Sequence, residues 1–186
     1  LKGMALAGSR RLGGDRKSSF DGSRIGRGSG AGRVLAARDR HAAFRARRVI
    51  VKSRIVKLKG AGLKAARLHL RYIQRDGVAR DGEAGTLYDA SHDQADGNAF
   101  LDRADGDRHQ FRFIVSPEDG DQYTDLRSVT RRLMAQMEDD LGTKLDWVAV
   151  DHFNTGHPHT HVVLRGVNDL GKALIIAREY LSHGMQ

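Results

Sequence analysis

Two stretches of strand-forming residues, separated by a short turn, constrain the fold of this chain more than any other feature of its sequence. Residues 145–152 and 159–165 are rich in β-branched and apolar side chains, which favour extended backbone. Between them lie Asn154, Gly156 and Pro158, which are residue types typical of turns. The sequence therefore predicts a β-hairpin over residues 145–165.

The predicted hairpin gathers histidines around its turn, since residues 152–161 contain four of the nine in the chain. Side chains alternate along a strand, so His159 and His161 are expected on one face about 7 Å apart, with His152 opposite them on the other strand. Three imidazoles with open coordination positions are typical of a catalytic metal site, and we predict that these three bind a metal ion. His157 lies in the predicted turn and is a weaker candidate for a metal ligand than these three. Exposed histidines at a strand end are the structural alternative.

A helix that carries a tyrosine off its apolar stripe is predicted earlier in the chain. Apolar residues recur at steps of three and four over residues 63–75, and Gly77 follows as a stop signal. Tyr72 lies about 140° from the centre of that stripe. A phenol has a pKa of about 10 and needs a nearby metal or base to attack phosphorus at neutral pH. A half-buried tyrosine at a helix edge is the structural alternative. Beside Tyr72, at intervals of four residues, lie Arg67, Arg71 and Arg75. Their like charges repel one another on one helix face, which favours an anionic ligand along the row.

The other segments complete an alternation of strands and helices. This order predicts an α+β fold, a mainly antiparallel sheet with helices packed on one face. The segments are a strand or strand pair starting near Arg47, loops with one short helix over 78–107, a strand over 108–116, an amphipathic helix over 125–141, a short strand over 173–176 and a helix over 179–185.

Charge and composition divide the chain unevenly. Residues 1–59 hold 17 Lys and Arg against 3 Asp, whereas residues 60–186 hold 15 against 20 acidic residues. Residues 1–45 are rich in Gly, Ser and Arg and have too few apolar side chains to offset their ordering entropy. We therefore expect a disordered basic arm over 1–45, either binding nucleic acid or merely solvated, and one folded domain over 46–186. The missing initiator Met and the interrupted last helix predict a fragment truncated at its C-terminus.

Several classes of protein are excluded or disfavoured by composition. The chain has no cysteine, which removes disulfide frameworks and thiolate metal sites, so any metal must bind to nitrogen and oxygen. No apolar run approaches the roughly 18 to 20 residues that span a bilayer, and the N-terminus lacks the apolar stretch of a signal peptide. We expect a cytoplasmic protein without membrane insertion.

Three segments in this order resemble the MOBP-like conjugative relaxases of the HUH endonuclease superfamily, which include the T-DNA border relaxase and plasmid mobilisation nucleases. Residues 69–77 resemble the first motif, residues 112–117 the strand before the second motif, and residues 152–161 the third motif. The resemblance covers about residues 47–185. It implies the α+β fold of these enzymes for the folded domain.

The resemblance also implies a reaction and its partners. Tyr72 would attack the scissile phosphate of single-stranded DNA at a transfer origin, giving a 5′-phosphotyrosyl enzyme and a free 3′-hydroxyl that can later be rejoined. The metal would be Mg²⁺ or Mn²⁺, and no nucleotide cofactor is needed. Accessory DNA-binding proteins and the coupling protein of a type IV secretion system are the expected partners, in a bacterial cytoplasm and with export alongside the transferred DNA.

The sequence departs from the family pattern at several positions. Asn154 and Gly156 stand where many members have acidic residues, which leaves the general base open, with Asp151 and His157 as candidates. Thr160 replaces an apolar residue between the paired histidines, and we expect it to face away from the metal.

Two other functions stay open at this point. A rolling-circle replication initiator or single-tyrosine transposase uses the same metal chemistry with its tyrosine after the histidine pair, where Tyr180 stands. A noncatalytic nucleic-acid-binding module with an incidental metal site is the alternative from another class. Formation of a covalent adduct with DNA distinguishes these three functions. A relaxase needs Tyr72 for the adduct, a replication initiator or transposase needs Tyr180, and a noncatalytic module forms none.

Overall fold

The computed structural model describes residues 49–60, 62–177 and 179–181. The basic arm predicted over residues 1–45 lies outside these residues, and so do residues 182–185 of the last predicted helix. None of the helices in the described part of the chain has both the length and the apolar character that a bilayer crossing requires.

Four strands of the described chain form one antiparallel sheet, in the order β1-β2-β4-β3. The predicted hairpin is confirmed as β3 and β4, with His152 paired to His159 across the turn. The first predicted strand region forms one strand and not a pair. The strands are β1 (Val49–Lys57), β2 (His109–Pro117), β3 (Trp147–His152) and β4 (His159–Arg165).

The helices form where the apolar spacing predicts them. The longest ends at Gly142, which adopts the left-handed conformation with φ 65° that glycine accepts without strain. The short helix expected between residues 78 and 107 is present, and the Asp96 side chain accepts hydrogen bonds from the backbone at its start. The helices are α1 (Gly62–Ile73), α2 (Gly97–Arg103) and α3 (Arg127–Leu141).

Helices cover both faces of the sheet, and the expectation that they cover one face is wrong. On one side, here called the α3 face, Met134 and Met137 of α3 pack on Phe111, Val162 and other inward residues. The opposite side, here called the α1 face, has its own cluster. The reason lies in β3, whose consecutive apolar residues are buried on both sides and need two covering layers. The α1-face cluster includes Ala66, Leu70 and Ile73 of α1, Phe100 and Leu101 of α2, and Val148, Val150 and Val163 of the sheet.

The predicted strand over residues 173–176 is also wrong. Ala173 forms only an isolated bridge with Val167, and no ladder follows it. Leu174 and Ile176 are buried in the α3-face cluster, whereas Ile175 is 83% exposed. The alternation in the sequence therefore reflects alternate burial of a segment that packs against the sheet without joining it.

Candidate active site

The hairpin brings three of the predicted site residues together on the α1 face. His152 ends β3 and His159 begins β4 directly opposite, and His161 follows two residues later on the same side. The ring centroids lie 5.3 Å apart for His152 and His159, 4.4 Å for His152 and His161, and 5.0 Å for His159 and His161. One nitrogen from each ring lies within 4.8 Å of the other two, so the three form a group that can hold a metal ion.

Two of these imidazoles have a fixed tautomer because a backbone carbonyl can only accept a hydrogen bond. Nε2 of His152 lies 2.7 Å from the carbonyl oxygen of Ile73 and therefore donates to it. Nδ1 of His159 lies 3.0 Å from the carbonyl oxygen of His157 and donates in the same way. The remaining nitrogens, Nδ1 of His152 and Nε2 of His159, carry free lone pairs. Metal-binding histidines in proteins have this arrangement, in which the second ring N–H is bound by a carbonyl or carboxylate.

The third imidazole completes the donor set. Nε2 of His161 lies 3.2 Å from Nε2 of His159, which is within the spacing of two nitrogens that bind one ion at about 2.1 Å each. Burial lowers the pKa of His161 to about 3, and the imidazoles of His152 and His159 oppose its protonation further. Burial also lowers the pKa of His152. Uncharged imidazole is the form that binds metal ions, so the donor set fits a divalent cation.

Helix α1 places Tyr72 at the same face of the sheet as the imidazoles. Ala66, Leu70 and Ile73 hold the helix against the sheet, and the carbonyl of Ile73, the residue after Tyr72, is the acceptor for His152. The Tyr72 side chain itself is 58% exposed, with the guanidinium of Arg75 4.5 Å from its ring centroid. The phenol is therefore exposed to solvent beside a positive charge, on the residue that precedes the carbonyl in contact with His152.

A family model described as the MobA/VirD2-like relaxase nuclease domain matches residues 72–183 of the chain. The chain belongs to this relaxase family. Membership implies DNA endonuclease activity, binding of DNA at a transfer origin and use of a divalent metal ion. The matched residues begin at Tyr72 and contain the whole histidine cluster, and the family resemblance found in the sequence is confirmed. No curated protein and no solved structure matches the chain.

The two general-base candidates of the relaxase domain have other partners. Asp151 lies on the α3 face, where its Oδ1 accepts hydrogen bonds of 2.7 Å from both the Tyr88 hydroxyl and the Thr160 hydroxyl. Burial raises the pKa of Asp151. Its carboxylate therefore lies on the opposite side of the sheet from the imidazoles and is not placed to act as the general base at the histidine site. The His157 side chain is exposed in the turn, and its contact with the site is through its backbone carbonyl.

Thr160, between the paired histidines, faces away from them as expected. Its hydroxyl donates to Asp151 and accepts from Thr130 of α3, at 3.2 Å. Thr160 and Asp151 are opposite each other in the register of β3 and β4. This cross-strand pair fixes, from the far side of the sheet, the strand positions that present the histidines.

Tyr180, the nucleophile of the replication-initiator alternative, lies in the α3-face cluster. It is 3% exposed, and its hydroxyl donates to Asp140 Oδ2 at 2.9 Å. Burial raises the pKa of Tyr180 above its usual value, and Asp140 adds to this effect. The sheet separates it from the imidazoles, so this phenol is neither near the histidine cluster nor free to ionise.

Sequence reasoning missed His69 as a member of the site. His69 is half-buried on α1, one turn before Tyr72 and Ile73. Burial and the positive charge of Arg112 lower its pKa to about 4, and its charge would oppose protonation of His161. His69 shares a helix face with Ile73, four residues later, but this spacing points to the site only once the Ile73 carbonyl is known to contact His152.

Proposed function

We propose that this relaxase domain nicks one strand of single-stranded DNA at a transfer origin, with Tyr72 as nucleophile and His152, His159 and His161 as metal ligands. One observation carries the proposal. The 2.7 Å hydrogen bond from His152 to the Ile73 carbonyl ties the tyrosine-bearing end of α1 to the histidine cluster. It supports a site in which one phosphate contacts the phenol and the imidazole-bound ion together.

The chemistry is a transesterification that conserves one phosphodiester bond. The Tyr72 oxygen forms a bond to the scissile phosphorus, and the bond between phosphorus and the 3′ oxygen breaks. The phenol proton is lost and the departing 3′ oxygen gains one, so neither water nor a nucleotide is consumed. The products are a 5′-phosphotyrosyl enzyme and a free 3′-hydroxyl, and the reverse step rejoins the strand.

The protein groups have separate roles in this scheme. A bound Mg²⁺ or Mn²⁺ would polarise the non-bridging phosphate oxygens. The carbonyls of Ile73 and His157 keep two imidazoles in the tautomer that leaves a lone pair for the ion. Arg75, over the Tyr72 ring, supplies a positive charge that attracts the phosphate.

The expected partners follow from the same proposal. Accessory DNA-binding proteins would expose the single strand at the transfer origin, and a type IV secretion coupling protein would receive the covalent complex. The domain would act in the bacterial cytoplasm and leave the cell attached to the transferred strand.

The test is formation of a covalent adduct with single-stranded oligonucleotides that tile the transfer origin of the encoding element. With Mn²⁺, we expect a product that survives denaturing electrophoresis and that chelation with EDTA prevents. Tyr72→Phe removes the attacking oxygen and should abolish the adduct, whereas Tyr180→Phe should retain it. Circular dichroism of both variants checks that they are folded.

The two alternatives give other patterns. Retention of the adduct in Tyr72→Phe and its loss in Tyr180→Phe would transfer the assignment to the replication-initiator class. Binding of the oligonucleotides by the unaltered protein, with no adduct under any metal condition, would leave a noncatalytic binding module.

A further inference from the structure

Among the helices that the structure describes, none covers the β1 side of the α1 face. Val49 and Val51 of β1 pack toward the α3 face, so the alternate residues Ile50 and Lys52 point to the α1 face. Ile50 is 49% exposed and Lys52 is exposed as well. In the register of the sheet their partners on β2 are Ser116 and Ile114, which are only partly buried.

These residues form the floor of an open groove that reaches the histidine cluster. The groove has a volume of about 520 Å³, within the range of roughly 300 to 1,000 Å³ found for ligand clefts. One wall is the turn of the hairpin, with Thr155 and Gly156, and the groove ends at the His159 imidazole. His161 is directly opposite Ile114 in the register of β2 and β4. A chain bound in the groove would therefore contact the proposed metal site at one end.

The surroundings of the groove are strongly basic. Residues 49–75 contain eight Lys and Arg and no acidic residue. Lys52, Arg54 and Arg112 lie on the α1 face by their strand register, and none of them forms an ion pair with an acidic residue in the described part of the chain. Glu118 is the acidic residue that lines the groove. Cations that have no acidic partner among the described residues, along an apolar floor, match the charge of a polyanion.

We propose that this groove, the β1–β2 groove, binds the stretch of single-stranded DNA next to the scissile phosphate. The inference rests on the proposed function. Lys52 and Arg54 contact the phosphates, and Ile50 and Ile114 contact the faces of unpaired bases. A duplex hides its base faces within the stack, so an apolar floor selects single strands, while the cations supply affinity that depends on salt.

The test uses two variants with the same charge reversal on one strand. Lys52→Glu alters the β1–β2 groove, and Lys57→Glu is the matched control, since residue 57 is exposed and points to the α3 face. The probes are a fluorescein-labelled 20-nucleotide oligo(dT) and a duplex of equal length, followed by fluorescence anisotropy between 50 and 200 mM NaCl. We expect Lys52→Glu to weaken oligo(dT) binding about tenfold and to reduce the salt slope by about 0.7, the value for one phosphate contact. Lys57→Glu should change the affinity less than about twofold.

Each result decides between this inference and the proposed function. Equal affinities for Lys52→Glu and Lys57→Glu, or unaltered protein that binds the duplex as tightly as oligo(dT), would overturn the assignment of the groove. If the unaltered protein forms no covalent adduct but Lys52→Glu selectively loses oligo(dT), the groove stands and the nicking proposal fails. If the unaltered protein forms an adduct but the two variants bind oligo(dT) equally well, the nicking proposal stands and the assignment of the groove fails.

Discussion

At the scale of single residues, the histidine site depends on where each ring places its proton. His152 and His159 each donate one N–H to a backbone carbonyl, which leaves the other ring nitrogen with a lone pair. His161 contributes a largely uncharged ring because burial lowers its pKa to about 3. The lone pairs of His152 and His161 are therefore available at neutral pH, because burial lowers the pKa of both rings.

Removing one ring from this set tests its role directly. His161→Ala deletes a ligand, and we expect Mn²⁺ affinity, measured by isothermal titration calorimetry, to fall by at least about tenfold. His157→Ala is the control, since His157 accepts the hydrogen bond from His159 through its backbone carbonyl, which alanine retains. An affinity loss of equal size in both variants would contradict the three-histidine assignment.

The sequence predicted the histidine positions, but it did not predict their supporting partners. Strand alternation and the hairpin were enough to bring His152, His159 and His161 together. The Ile73 carbonyl is 79 residues from His152, and such a long-range contact depends on how α1 packs and not on any local pattern. The same applies to His69, whose place beside the site follows only from the orientation of the helix.

At the scale of elements, the hairpin is fixed from the face opposite the imidazoles. The Thr160 hydroxyl donates to Asp151 across the strands and accepts from Thr130 of α3, and Tyr88 donates to the same carboxylate. Thr160→Val keeps the shape of the side chain and removes the donor. We expect it to lower the free energy of unfolding by about 1–3 kcal/mol, because a buried carboxylate loses one of its two side-chain partners. Urea denaturation measures this.

A matched substitution separates loss of the hydroxyl from a general effect of valine. Thr86 is exposed, and Thr86→Val should change the free energy of unfolding by no more than about 0.5 kcal/mol. If Thr160→Val were as stable as Thr86→Val, the cross-strand pair would have no part in fixing the hairpin.

Helices and strands were predicted correctly where the spacing of apolar residues follows the period of a helix or of a strand. The prediction failed where a segment without regular structure is buried by packing on the sheet. The helices and the hairpin have clear periods of 3.6 and 2 residues. Residues 173–176 alternate as well, but their burial comes from packing on the sheet and not from a strand ladder. Helices on one face were expected from element order, whereas the apolar run at the start of β3 was the signal for two covering layers.

At the scale of the whole molecule, charge is distributed by region. Residues 49–75, which include β1 and α1, contain eight Lys and Arg and no acidic residue, whereas residues 76–107 contain nine acidic residues and two Arg. Lys52 and Arg54 of this set lie on the α1 face by their strand register, and we propose that this face, with the histidine site and the β1–β2 groove, contacts the nucleic acid. The net charge of +9 alone would not have located this face.

Global stability should respond to pH through the buried imidazoles. An unfolded histidine has a pKa of about 6.5, whereas burial lowers the pKa of His69 to about 4 and that of His161 to about 3 in the folded protein. Below pH 6.5 the unfolded state therefore binds protons that the folded state does not, and the free energy of unfolding falls as pH decreases from about 6.5 toward 4. The carboxylates whose pKa is lowered, such as Asp146, act below pH 3.8. Asp151, whose pKa is raised by burial, binds a proton more readily in the folded state and offsets part of this decline.

Thermal unfolding of the metal-free protein between pH 7.5 and pH 4.5, followed by circular dichroism, should show this decline in Tm. His69→Gln removes one of the groups whose protonation favours the unfolded state, so its Tm should fall less steeply over the same range. Parallel curves for the two proteins would mean that His69 binds protons equally well in both states, and that α1 does not bury it against the sheet.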